Sequence, residues 1–250
     1  MSSSEDAPSL EPDGPYVSFV RQRRSAILER LGDACARAGR DVASVTLAAV
    51  SKTVGPVEAV AAMRAGYEVF AENRPQELSR KLEFAATEPE MAEARFDAIG
   101  NLQKNKINQV IGRVALLHSI SSSELACAVS KRCCAHGIVQ PVLLEVNVSG
   151  EQSKSGFSPA EAREAVEALA ALPGIRLEGI MTMAPRADAD AARRTFSGAR
   201  ELACELRART GLPLPTLSCG MSDDFAIAVE EGSTLVRLGR VTFDPAYELL

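Results

Sequence analysis

The sequence predicts an α/β protein: a single (β/α)8 barrel of TIM type, preceded by one extra helix. Three observations lead there. Eight short apolar runs alternate with helical stretches, and from Thr46 to Thr234 their starts lie about 27 residues apart, the length of a parallel strand plus its crossover helix. Many of these runs, LAAV, VLLEV and GIM among them, are apolar throughout, as strands covered on both faces are. The first run is followed by Ser51-Lys52-Thr53 and not by a glycine-rich dinucleotide turn, which counts against an open doubly wound sheet.

Residues 1–15, MSSSEDAPSLEPDGP, are small, acidic and rich in chain breakers, with almost nothing to bury, and are expected to form a mobile tail. The barrel domain is expected over residues 16–250. Its extra helix spans Tyr16–Ala38, where Val17, Val20, Ile27, Leu28 and Leu31 recur near helical spacing until Gly39 stops the run. Strands are expected at Thr46–Val50, Glu68–Ala71, Phe96–Ile99, Val114–Ile120, Pro141–Val148, Leu177–Met183, Thr216–Cys219 and Thr234–Leu238. Helices are expected at Pro56–Ala65, Gln76–Ala86, Ser123–Ala135, Pro159–Ala171, Ala189–Thr210 and Asp224–Glu230. Gly55-Pro56, Ser158-Pro159 with Glu161, and Ser222-Asp223 read as helix starts. Nothing between Val42 and Phe243 reads as a domain boundary.

Composition narrows the function classes. The chain has 250 residues, 46% hydrophobic and 24% charged, with a net charge of −5. An acidic balance argues against nucleic acid or an anionic membrane as partner, since both need a basic face. No apolar run approaches the roughly 18 residues of a membrane span, and the N-terminus lacks a cationic-then-apolar signal. A cytoplasmic protein, and a monomer, is expected. Six cysteines without C-x-x-C spacing read as reduced and mostly buried small hydrophobes. Cys133, Cys134 and His136 lack the further ligands that would complete a tetrahedral set, so no metal is expected.

In such a barrel the chemistry collects at the carboxyl ends of the strands. Lys52 directly follows an all-apolar strand. Held at the mouth and desolvated, its amine would be neutral and nucleophilic toward carbonyls; a lysine snorkelling to water is the equal alternative. Ser218-Cys219-Gly220-Met221-Ser222 offers hydroxyls and backbone N–H groups at a helix start, a cradle for an anion such as phosphate. Gly239 after the last strand strengthens that reading, because phosphate sites in these barrels use the loops after strands seven and eight. His118 reads as a packed, hydrogen-bonded residue. Glu72 and Glu145 read as ion-pair partners of Lys52 or Arg237. Arg193, Arg194, Arg207 and Arg209 read as a solvated helix face. The G-x-S-x-G elbow and the Walker-type loop are both absent.

Six motifs occur in order: AVSKT (Ala49–Thr53), F-x-EN (Phe70–Asn73), IG-x-LQ-x-NK (Ile99–Lys106), VN-x-S-x-E-x-SK-x-G (Val146–Gly156), LS-x-GMS-x-D (Leu217–Asp224) and VR-x-G (Val236–Gly239). Together they resemble the YggS/PROSC family of pyridoxal phosphate homeostasis proteins, from about Val45 to the C-terminus. The resemblance implies a barrel like the N-terminal domain of alanine racemase, carrying pyridoxal 5′-phosphate as a Schiff base on Lys52. By the same motifs Asn73 lies beside the cofactor ring, and Ser218, Gly220, Met221, Ser222 and Gly239 hold its phosphate. Arg237 faces the pyridine nitrogen.

A cationic arginine there disfavours ring protonation, and an unprotonated ring is a poorer electron sink. Racemases of this type also need a second acid/base group from another domain or subunit, and no second domain is expected after Phe243. The resemblance therefore implies a non-catalytic carrier that stores pyridoxal phosphate and delivers it to apo-enzymes. A pyridoxal phosphate-dependent amino-acid racemase is the alternative; a cofactor-free, aldolase-like barrel using Lys52 is a third reading. Ala71, Arg74, Asp97 and Cys219 stand where the family commonly has Gly, Tyr, His and Met. Arg240 replaces a small residue and is expected to add a phosphate contact.

Overall fold

Pro15, whose missing N–H costs nothing in a first turn, opens α1 (Pro15–Arg37). The computed structural model describes residues 14–249. Of the expected tail, residues 1–13 lie outside the described residues, whereas Gly14 is buried and Pro15 is already helical. From α1, Ile27, Leu31, Ala34 and Cys35 pack on Phe225, Val229, Val236, Leu238 and Val241. The extra helix thus covers the outside of the barrel's last strand.

The chain continues as β1 (Thr46–Val50), α2 (Pro56–Arg64), β2 (Val69–Glu72), α3 (Pro75–Ala85), β3 (Arg95–Ala98), β4 (Leu116–Ile120), α4 (Ser123–Ala135) and β5 (Gln140–Glu145). It ends with α5 (Pro159–Ala170), β6 (Ile175–Met181), α6 (Ala189–Thr210), β7 (Thr216–Ser218), α7 (Phe225–Glu230), β8 (Leu235–Leu238) and α8 (Arg240–Phe243). Each strand pairs in parallel with the next, and β8 closes on β1 with Thr46 opposite Leu235 and Ala49 opposite Leu238. The expected closed barrel is what forms.

Local chemistry sets several boundaries. The Ser122 hydroxyl accepts from Leu125 N at 3.1 Å to start α4, and Ser158 with Glu161 forms a reciprocal capping box at α5. The expected start signal Ser222-Asp223 does not cap α7; Ser222 Oγ accepts instead from Val241 N at 3.2 Å. The crossover from β3 to β4 is a 3-10 helix, Lys104–Gln109, without an α-helix. β5 and β6 end at Glu145 and Met181, short of the expected Val148 and Met183, because the chain there leaves the ladder to form the mouth. The six cysteines are free, but only Cys35, Cys133 and Cys219 are buried, whereas Cys127, Cys134 and Cys204 lie on exposed turns of α4 and α6. No described helix is long and apolar enough to cross a membrane.

Strand alternation divides the core. Ala48, Val50, Val69, Ala71, Leu116, Leu143, Met181 and Leu235 form one cluster inside the barrel. Ala49, Phe70, Leu117, Leu144 and Leu217 face outward into the helix layer. The same parity turns Asp97, His118, Glu145, Ser218 and Arg237 inward, and all five are buried. Aliphatic residues normally fill this space, so a polar layer here has to be explained by what it holds.

The end of β3 approaches the end of β2 so closely that a Cβ on Gly100 would stand 2.0 Å from the Asn73 carbonyl oxygen. Gly100→Ala is expected to cost at least about 2 kcal/mol, a fall in Tm of about 4–8 °C by calorimetry.

Candidate functional site

Along β1, Ala48 and Val50 face inward, and the same alternation assigns Lys52 to the barrel mouth. A turn closed by Val54 N–H on the Ser51 carbonyl, 3.1 Å, lifts Lys52 and Thr53 clear of the ladder. Lys52 is exposed and makes no hydrogen bond or ion pair with any described residue. The expectation of a desolvated amine is therefore corrected: the sheet ends at Val50, and the amine stands in water at the rim.

Ser51 points the other way. Its hydroxyl donates to Glu72 Oε1 at 2.6 Å. Lys81, reaching across from α3, donates to the same carboxylate and to the Ser51 carbonyl. Lysine and glutamate are both buried, so neither can be removed alone without stranding a charge, a loss of about 3–5 kcal/mol. Glu72 is thus the partner of Lys81, not of Lys52 or Arg237. Lys81 escaped the sequence reading, although its place three residues after Leu78 on the buried face of α3 was a usable signal.

Asn73 follows β2 at the mouth, half-buried, and its Oδ1 is enclosed without a hydrogen-bond partner among the described residues. Glu145, at the end of β5, also has an enclosed oxygen, Oε2, without a partner. Burial raises the Glu145 carboxyl above the usual carboxylate range, partly offset by the positive charge of Arg237.

Arg237 is the centre of the polar layer. Its Nη1 donates to the Ser218 carbonyl at 2.8 Å and to Ser218 Oγ at 2.6 Å, and its Nη2 donates to the Thr182 carbonyl at 3.1 Å. No carboxylate of the described residues forms an ion pair with it. Ser218 Oγ lies 3.0 Å from His118 Nδ1, and His118 Nε2 lies 3.2 Å from Asp97 Oδ2. Asp97 in turn accepts from Arg95 Nε and Nη2, each at 3.2 Å. His118 is the packed, hydrogen-bonded residue expected, and burial lowers its pKa despite the Asp97 carboxylate.

Above this layer sit the loops after β7 and β8. Gly220 has φ +92°, and a Cβ there would meet Ala228 Cβ at 2.6 Å, so only glycine makes the turn. Met221 N–H is taken by Asp224 Oδ1 at 2.6 Å, while the N–H groups of Gly220, Ser222, Gly239 and Arg240 have no partner among the described residues. The structure thus brings Gly220, Ser222 and Gly239 together at the mouth as expected, but turns the Ser218 hydroxyl down toward Arg237 and His118. Arg240 pairs with Asp223 at 2.5 Å and lies over the Tyr247 ring.

The profile of the alanine racemase N-terminal domain family matches residues 25–244. A relative from Aquifex aeolicus named "Pyridoxal phosphate homeostasis protein" is 41% identical over 223 residues, covering 89% of this chain and 96% of the relative. The chain belongs to the pyridoxal phosphate homeostasis protein family. The Escherichia coli K12 member is 36% identical over 230 residues, 91% of this chain and 97% of its own length. Among solved structures, PipY of Synechococcus elongatus PCC7942 with PLP bound superposes with a TM-score of 0.78 at 29% identity, covering 90% of this chain and 99% of PipY.

For His118 a lowered folded-state pKa means that the unfolded chain binds the ring proton more readily. That contribution to stability is complete above the ordinary value near 6.5 and is lost as pH falls toward the folded value. Between pH 7 and pH 5 the unfolding free energy of the wild type should therefore fall more steeply than that of His118→Gln, measured by urea titration.

Proposed function

We propose that this chain binds pyridoxal 5′-phosphate at the barrel mouth and holds it for delivery, without turning over a substrate. The observation that carries this reading is Arg237: a buried guanidinium, hydrogen-bonded only to carbonyl and hydroxyl oxygens, beneath loops in which the N–H groups of Gly220, Ser222, Gly239 and Arg240 have no partner among the described residues. Such a mouth attracts an anion, and the donors suit a phosphate. Asn73 Oδ1, enclosed without a partner, suits a ligand that presents a donor beside it. Gly239 supports the fit in another way. Its φ is −106° and a Cβ would meet nothing nearer than the Val50 carbonyl oxygen at 3.4 Å, so the protein's own packing does not demand glycine there, whereas close approach of a phosphate does.

Bound pyridoxal phosphate supplies an aldehyde that condenses with an amine, releasing one water. Lys52 offers a free amine in the open, and the same access to water favours hydrolysis of the bond and release. That suits a store better than a sealed catalytic site. Arg237, a donor that cannot accept, favours a ring nitrogen with a free lone pair and so works against the electron-sink chemistry of turnover. Both ring nitrogens of His118 are engaged within the barrel, which withholds it from a substrate. With this reading go apo forms of pyridoxal phosphate-dependent enzymes as recipients, a monomeric state and a cytoplasmic location. The racemase alternative rests on Glu145, an enclosed carboxyl held toward its protonated form; loss of α-deuterium from amino acids incubated with the loaded protein would favour it.

Borohydride reduction of the protein with pyridoxal 5′-phosphate, followed by peptide mass analysis, should place a pyridoxyl group on Lys52. Labelling of another lysine in its stead, or of none, overturns the reading. Gly239→Ala should keep the wild-type Tm and weaken pyridoxal 5′-phosphate about tenfold or more, while phosphate-free pyridoxal binds as before.

A further inference from the structure

Five side chains cross the barrel in one line: Arg237, Ser218, His118, Asp97 and Arg95. Both ends of the central stretch are one-way, because a guanidinium has no acceptor and a carboxylate has no donor. Arg237 Nη1 donates to Ser218 Oγ at 2.6 Å. The Ser218 hydroxyl keeps its one proton and a second lone pair, so it can face His118 Nδ1, 3.0 Å away, as donor or acceptor, and the accept-only carboxylate of Asp97 at the other end decides which. A neutral ring with Nδ1 bare carries its proton on Nε2, facing Asp97 Oδ2 at 3.2 Å. Arg95 holds the carboxylate from the far side through Nε and Nη2. Each proton has one place, and the histidine tautomer follows from its neighbours.

We propose that Asp97 is a positioning residue that, through His118 and Ser218, locks the guanidinium of Arg237 in the orientation that receives a ring nitrogen. The ligand half of this statement rests on the pyridoxal phosphate reading above; the relay itself does not. Of the five guanidinium N–H groups, three have described acceptors, namely the Ser218 carbonyl, Ser218 Oγ and the Thr182 carbonyl. Two remain for a ligand. Their direction depends on the geometry at Ser218 Oγ, which changes if His118 Nδ1 gains a proton and the hydroxyl proton has to leave the line; Asp97, by taking the Nε2 proton, keeps Nδ1 bare. A carboxamide at position 97 breaks this logic, since its NH2 can donate to Nε2 and drive the ring proton to Nδ1. Ser218 Oγ would then face two donors, and its own proton would have to leave the line. A neutral histidine at position 97, which the resembling family commonly carries, can act in either sense; aspartate makes the line single-valued.

The chain has two histidines, and His136 is exposed, so two ring signals suffice. In ligand-free wild-type protein labelled with 15N-histidine, long-range 15N–1H correlation at pH 7 should show His118 neutral with its proton on Nε2. A proton on Nδ1, or a charged ring, overturns the proposal without reference to any ligand. In Asp97→Asn the His118 signal should move toward the Nδ1–H form. The same variant should bind pyridoxine 5′-phosphate, which cannot bond to Lys52, about five- to tenfold more weakly, with inorganic phosphate bound as in wild type. Equal weakening of both probes marks a merely structural role and overturns the positioning claim, as does unchanged pyridoxine 5′-phosphate binding. If wild-type protein binds neither probe, the pyridoxal phosphate reading fails, and the histidine signal still decides the relay. Should Asp97→Asn not fold, the wild-type tautomer alone decides it.

Discussion

Enclosing a guanidinium inside a closed barrel removes its hydration, a penalty of several kcal/mol unless protein oxygens replace the water. Arg237 is 4% exposed, and burial works against its charge. Its acceptors are the Ser218 carbonyl, the Ser218 hydroxyl and the Thr182 carbonyl. All are dipoles, so the charge is solvated but not neutralised. The neighbouring carboxyls that could neutralise it, Asp224 and Glu145, are themselves pushed toward their protonated forms by burial. The guanidinium charge is therefore left without an ion-pair partner among the described residues, which is where the proposed anionic ligand would act. Much of the inward-facing polar set, from β3 to β8, is arranged around that imbalance.

The end of β1 solves a second problem with one alternation. Consecutive residues on a strand face opposite ways, so Ser51 and Lys52 are separated at the point where the sheet stops. Ser51 is drawn outward into the Lys81–Glu72 pair, which ties β1, β2 and α3 together below the rim. Lys52 is left free one residue later. The two lysines show what environment does to one functional group. Lys81 is buried and spends its donors on a carboxylate and a carbonyl, which suits anchoring and keeps it away from the mouth. Lys52 has an exposed tip without a described partner and a base fixed by the turn beneath it, an arrangement that suits the proposed repeated formation and hydrolysis of a bond.

Much of this was legible in the residues. β1, α4 and α6 form over the bounds that pattern and caps imply, because apolar runs flanked by Ser or Asp caps leave few alternatives. The crossover after β3 was not, since Lys104–Gln109 carries too few apolar residues to announce a 3-10 helix. The motif loops marked the mouth correctly, for glycine and serine next to strand ends are local features. Partnerships were harder. That Glu72 meets Lys81, nine residues on, depends on how α3 folds back over β2, and that His118 lies between Ser218 and Asp97 is a consequence of barrel closure and register, which bring residues 21 and 100 positions apart within hydrogen-bonding distance. The burial of Lys52 was misjudged for a related reason: parity told which way the residue faces, but not that the ladder stops two residues before it.

The glycines at the mouth separate the demands of folding from those of binding. At Gly100 and Gly220 an added Cβ would collide with the Asn73 backbone or with Ala228 and Phe225, so the polypeptide itself excludes any other residue. At Gly239 the nearest atoms stand at ordinary contact distance and φ is negative, so the same argument gives no answer. Buried polar groups in native proteins are nearly always paired, yet Asn73 Oδ1 and Glu145 Oε2 are not, and both sit at this end of the barrel. A glycine that the packing does not need, oxygens without donors and N–H groups without acceptors all lie at the end of the barrel that Arg237 faces. Each alone has a local explanation; a ligand of the kind proposed, presenting donors to the oxygens and acceptors to the N–H groups, would answer all of them together.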